Sequence, residues 1–111
     1  MYNFNFMKDE KLIDVFDEVL VKQGDNEKII TIALTDKRLL FLDYVNTNLG
    51  LDALRIARGV SYTRYKDVFY QIRLDDIEHL IVGEYYQVVL KNEIMFEFNN
   101  AKLYELLVKN N

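Results

Sequence analysis

The chain has 111 residues, half of them apolar, with a net charge of −4 at pH 7 and a pI of about 4.9. That length holds one compact domain, so residues 1–111 are read as a single unit. The absence of cysteine excludes disulfides, thiolate metal sites and thiol nucleophiles, and the acidic balance disfavours nucleic acid, whose affinity comes mainly from Lys and Arg neutralising phosphates.

Eight Tyr and seven Phe argue for a packed core rather than a disordered chain. No apolar run reaches the roughly 18 residues that span a bilayer. Met1 to Met7 lack the basic start and apolar core of a signal peptide, so the expected location is the cytoplasm.

In chain order, Tyr2, Phe4 and Phe6 alternate with Asn3 and Asn5, a strand pattern. Residues 8–22 read as a helix. Leu12, Ile13, Phe16, Val19 and Leu20 recur at helical spacing, with Asp14, Asp17 and Glu18 opposite them. Asp9 and Glu10 fall in its first turn, where the helix dipole favours anions. Gly24 lies just past its end, where a left-handed cap suits glycine.

The period then changes. Ile29 to Leu34 is short and β-branched, Thr35-Asp36-Lys37 supplies a turn, and Arg38 to Tyr44 returns as the second arm of a hairpin. Leu49, Ala53, Ile56 and Ala57 share a face of a short helix over 47–58, with Asn48 as its cap and Gly59 as its stop. A second hairpin pairs Val60 to Tyr65 with Val68 to Leu74 across Lys66-Asp67.

Asp75-Asp76 breaks the run, and Ile77 to Val82 forms a strand that ends at Gly83. Tyr85 to Leu90 and Glu93 to Phe98 follow, joined by Lys91-Asn92, with Ile94, Phe96 and Phe98 on one face. A closing helix carries Leu103, Leu106 and Leu107 as its stripe, with Asn99 or Asn100 as its cap and Lys109 at the negative end of its dipole. The expected architecture is mainly β: about six or seven antiparallel strands in a strongly bent sheet, with a helix at each end of the chain.

Several segments resemble the bacterial pleckstrin-homology-like domains. Leu34-Thr35-Asp36-Lys37-Arg38-Leu39-Leu40-Phe41-Leu42-Asp43 is similar to that family's recurrent Thr-(Asn/Asp)-Lys-Arg-Leu hairpin. Val19 to Glu27 looks like its leading helix and acidic exit, and Ile72-Arg73-Leu74-Asp75-Asp76-Ile77 like its Ile-x-φ-x-x-Ile pattern, where φ is apolar or aromatic. Phe96-Glu97-Phe98 through Leu107 looks like its last strand and closing helix. The resemblance covers about residues 10–109, and the stretch 45–70 is longer than the family's usual connection. It implies a barrel-like sheet capped by a helix and no catalysis. Several members resemble self-assembling rings.

The chemistry-bearing residues form few constellations. His79 stands near Asp75, Asp76 and Glu78, but in a strand Glu78 and His79 point to opposite faces, and no second histidine or cysteine completes a transition-metal set. Asp75-Asp76 sits where a turn expects aspartates, and neither it nor Asp9-Glu10 has a legible cleft for paired-carboxylate chemistry. Ser61, the sole serine, has no glycine elbow, and Gly24, Gly50, Gly59 and Gly83 are too scattered for a phosphate loop. In the Thr35–Arg38 turn, Asp36 is suited to accepting backbone hydrogen bonds, Lys37 to exposure, and Arg38 to crossing a neighbouring strand and pairing with a carboxylate.

Two candidate sites remain. Residues 55–73 carry Arg55, Arg58, Arg64, Lys66 and Arg73 against Asp67 alone, with Tyr62, Tyr65 and Tyr70 interleaved. That mixture suits an anionic surface or a partner, and it also suits a solvated face that balances the acidic segments. Tyr2, Phe4 and Phe6 are too apolar to hang free, so they close the chain's own sheet or add to a neighbour's edge. The leading reading is a non-enzymatic interaction module that self-associates as a homo-oligomer through protein–protein contacts, without cofactor or metal. Peripheral membrane or anionic-ligand binding through residues 55–73 ranks second, and a small hydrolase or metal enzyme is residual.

Overall fold

The computed structural model describes residues 2–44 and 66–110. Its strands are β1 (Tyr2–Asn3), β2 (Leu12–Gln23), β3 (Asn26–Thr35), β4 (Arg38–Tyr44), β5 (Lys66–Arg73), β6 (Ile77–Val82), β7 (Tyr86–Leu90) and β8 (Met95–Phe98), and the helix α1 spans Ala101–Asn110. They form one sheet in the order β1-β5-β4-β3-β2-β8-β7-β6. Seven strands run antiparallel to their neighbours, and the two-residue β1 adds a parallel edge to β5.

The helix expected over 8–22 is instead the strand β2. Two β-bulges explain the helical spacing. The ladder with β3 shifts between Leu12 and Asp14, and again between Phe16 and Val19, where Phe16 faces Ile32 and Val19 faces Ile30. Each bulge adds a residue to β2 and turns a step of two into a step of three. Ile13, Phe16 and Val19 therefore enter the same core at intervals that resemble helical turns. Glu18 takes a left-handed φ of 55° at the second bulge. The density of β-branched residues, Ile13, Val15, Val19 and Val21, was the contrary signal. Gly24 is left-handed as expected (φ 60°), but it opens the two-residue turn between Gln23 and Asn26 rather than ending a helix.

The hairpin of β3 and β4 forms as read from the sequence, and β6, β7, β8 and α1 lie where expected. Lys66 and Asp67 are not a turn: they begin β5 and pair with Tyr44 and Asp43 of β4. The readings of 47–58 as a helix and of Val60 to Tyr65 as a strand lie outside the described residues. Leu74 to Asp76 form a single 3-10 turn that breaks β5 from β6.

The sheet is bent back on itself. Along a flat sheet β4 and β8 would lie three strand spacings apart, each about 4.8 Å. Yet Phe41 of β4 and Phe96 of β8 meet edge to face with ring centroids 5.5 Å apart. The inner face holds the main core, built from Ile30, Ile32, Leu39, Phe41, Val88 and Phe98 among others, and α1 inserts Leu103 and Leu107 into it. The outer face of β3 and β4 buries a second, smaller cluster of Ala33, Leu40 and Leu42, against which Phe4, Val15 and Val68 pack. Both faces of this hairpin are covered, which is why its sequence reads as a continuous apolar run.

The start of α1 is set by two asparagines with separate tasks. Asn100 Oδ1 accepts the amide of Leu103 at 2.9 Å, and Asn99 Oδ1 accepts the amide of Leu20 at 3.1 Å. Asn100→Ala should therefore cost about 1 kcal/mol by loss of the cap, measured as a lower urea midpoint with an unchanged m-value. No helix among the described residues is long and apolar enough to cross a membrane.

Candidate functional site

The Thr35–Arg38 turn makes a clamp. Each of its four residues holds part of the segment that precedes β2. Thr35 Oγ1 donates to Glu10 Oε2 at 2.7 Å and accepts the amides of Lys37 and Arg38. Asp36 Oδ1 accepts the amide of Lys11 at 2.9 Å, and the Asp36 amide donates back to the Lys11 carbonyl at 3.0 Å. Lys37 Nζ reaches the Lys8 carbonyl at 3.0 Å. Arg38 grips Glu10 with two parallel bonds, from Nε to Oε2 at 2.8 Å and from Nη2 to Oε1, and adds the Asn5 carbonyl and Gln71 Oε1.

Both members of the Glu10–Arg38 pair are buried. A buried ion pair is tolerable only when further hydrogen bonds satisfy its remaining atoms, and Thr35, Gln71 and the Met7 amide do so here. The Arg38 guanidinium is the main reason that the Glu10 carboxyl is held down at about 2, with Thr35 and the Met7 amide adding to it against the opposing effect of burial. The motif that carried the family resemblance is thus a structural clasp. Arg38 crosses to a carboxylate as expected, while Asp36 serves the strand start at Lys11 rather than its own turn.

An apolar groove of about 410 Å³ opens between the β2–β3 turn and the end of the chain's β7–β8 connection. Val21, Ile30, Phe41, Phe69, Tyr70 and Phe96 supply its apolar walls. The aromatic rings contact one another: Phe41 lies 5.7 Å from Tyr70, and Tyr70 lies 5.5 Å from Phe96. Phe69 is 53% exposed. The charges at the rim are already paired. Lys28 Nζ lies 2.7 Å from Asp43 and 4.8 Å from the Phe69 ring centroid, and Glu27 pairs with Lys22 at 3.2 Å. The sequence hid this groove because Phe69 and Phe41 are distant along the chain. In the β4–β5 ladder Phe41 pairs with Tyr70 and Leu42 with Val68, which leaves Phe69 as the extra residue of a bulge, its ring 6.4 Å from that of Phe41.

Of the basic segment, Lys66 and Arg73 are described, and Arg55, Arg58 and Arg64 lie outside the described residues. Lys66 and Arg73 sit at opposite ends of β5. Lys66 Nζ donates to Thr31 Oγ1 at 2.7 Å and pairs with Asp17, and Arg73 is exposed beside Asp75. Tyr2 pairs by its backbone with Lys66. Phe4 packs on the outer-face cluster and stacks on Phe6 with centroids 5.2 Å apart. No group of three or more metal-ligating side chains occurs among the described residues. His79 and Glu78 are both exposed on the edge strand β6.

Neither a protein-family profile nor a curated protein sequence matches the chain. Among solved structures it is similar to the "Vps36 N-terminal PH domain", with a TM-score of 0.52 and 13% identity over 95% of this chain and 83% of that one. The bent antiparallel sheet closed by one C-terminal helix is therefore a pleckstrin-homology-like fold. The leading helix that the sequence suggested has no counterpart here, since β2 occupies its place.

Proposed function

We propose that this chain is a non-enzymatic interaction module of pleckstrin-homology-like fold that self-associates. The observation that supports it is the open groove with its aromatic wall. Its apolar lining offers area to bury, and its rim charges are neutralised by Asp43 and Lys22. A surface of this kind holds a partner by burial and supplies no paired acid and base to transform one. A second copy is the occupant argued for, because the chain itself presents exposed apolar side chains elsewhere. Val82 at the end of the edge strand β6 is 62% exposed.

The test is sedimentation velocity over a wide concentration range, for the intact protein and for Phe69→Ser. The expected result is a mass that rises with concentration and rises less for the variant. A monomer at every concentration would overturn self-association.

A further inference from the structure

The segment before β2 is attached in an unusual way. Of the side chains from Phe4 to Leu12, none takes part in the main core. The segment touches the molecule at two places. At one end Glu10 and Lys11, with the Asn5 and Lys8 carbonyls, are held by the Thr35–Arg38 clamp, immediately before β2 begins. At the other, β1 pairs with Lys66 and Asp67, and Phe4 covers Ala33, Leu40 and Leu42.

Between these anchors the chain makes one tight turn from Met7 to Glu10. It is closed by the Glu10 amide on the Met7 carbonyl at 3.2 Å and the Met7 amide on Glu10 Oε1 at 2.9 Å. Asp9 in this turn is left-handed (φ 61°), as is Asn5 (φ 47°). Such conformations disfavour side chains bearing a Cβ, although Asn and Asp tolerate them best. Residues 5–9 are exposed, including Phe6 at 46%.

We propose that residues 2–7 exchange between two copies of the chain. The turn at Lys8-Asp9 opens, and each copy's β1 and Phe4 occupy the β5 edge and the outer-face cluster of the other. This proposal rests on the self-association reading above and adds to it a contact at the β5 edge, apart from the groove. The occupant fits the surface by construction, since β1, Phe4 and the Asn5 carbonyl remake on the other copy the contacts that they leave, only the Met7–Glu10 turn bonds are given up, and the main core is undisturbed. Glu10 stays on its own Arg38, so the hinge is confined to the exposed turn. Two segments fill two sites with none left over, so the contact closes as a two-fold dimer rather than growing into filaments. The balance between the closed and exchanged forms is then set by how well residue 9 holds its left-handed turn.

Residue 9 variants and cross-linking test this together. Asp9→Gly favours the closed turn. Asp9→Pro cannot adopt a positive φ, and Asp9→Val disfavours it more mildly. The dimer fraction from sedimentation should rise several-fold in Asp9→Pro and Asp9→Val and fall in Asp9→Gly. The chain has no cysteine, so Asn3→Cys and Asp67→Cys, partners across the β1–β5 ladder, can be made in separate chains. These are then unfolded, refolded together and oxidised.

A disulfide between the two chains, well above that of Asn3→Cys mixed with Lys102→Cys, is expected. Its yield should follow the residue 9 series. An oligomer without that disulfide, and without response to residue 9, would overturn the exchange and leave self-association standing. A monomer throughout, Asp9→Pro and Asp9→Val included, would overturn both.

Discussion

Arg38→Met should destabilise the protein by about 3–5 kcal/mol, because it leaves the Glu10 carboxylate buried without its cation. The guanidinium makes two bonds to Glu10 and one each to Gln71 and the Asn5 carbonyl, so no single water restores the set. Arg38→Lys should recover little, because an ammonium cannot make the parallel pair of bonds. The same contact gives the fold an acid dependence of known sign. The Glu10 carboxyl lies near 2 in the folded chain against 4.5 for its ordinary value. Its contribution is therefore complete above about pH 4.5 and is lost as the pH falls toward 2, where folded and unfolded chains bind the same proton. A shift of that size corresponds to about 3 kcal/mol. Urea midpoints of the wild type should fall across this window, and those of Glu10→Gln should fall less. Equal pH profiles for the two would refute the assignment.

Phe41→Ala should cost about 3–5 kcal/mol, the range for removing a buried aromatic side chain. Phe41 is buried at the place where the bent sheet closes, with Phe96 edge to face at 5.5 Å and Tyr70 at 5.7 Å. Truncation leaves a void at the base of the groove and removes the contact that joins β4 to β8. A loss below about 1 kcal/mol in equilibrium unfolding would show that the surrounding rings collapse into the space. Phe69→Ala should cost far less, since that side chain is half exposed, so the pair separates the wall of the groove from its foundation.

The sequence showed most where one local rule decided the outcome. The β3–β4 hairpin, the alternation of Ile94, Phe96 and Phe98, and the asparagine cap of α1 each depend on neighbours a few residues away. It misled at β2, because two bulges produce spacings of three, and hydrophobic periodicity alone does not distinguish a bulged strand from a helix. The clamp was half legible. Arg38 announced a carboxylate partner, but Glu10, placed by periodicity in a helix's first turn, gave no sign of being that carboxylate until β2 brought it beside Thr35. The groove was not legible, since it joins the β2–β3 turn, β5 and Phe96, which meet only when the sheet bends.

The covering of β3 and β4 on both faces has a further consequence for the chain before it folds. Ile29-Ile30-Thr31-Ile32-Ala33-Leu34 is a run of six uncharged residues, rich in β-branched side chains and free of proline. Such a run is the composition from which steric zippers are built. In the folded protein it is an inner strand, hydrogen-bonded on both sides by β2 and β4, and cannot template another chain. During synthesis or after unfolding it has no such shelter. Lys28 on one side and Asp36-Lys37-Arg38 on the other then act as gatekeepers, interrupting in-register stacking by charge repulsion. The residues that clamp the folded protein thus also border a stretch of amyloid-prone composition.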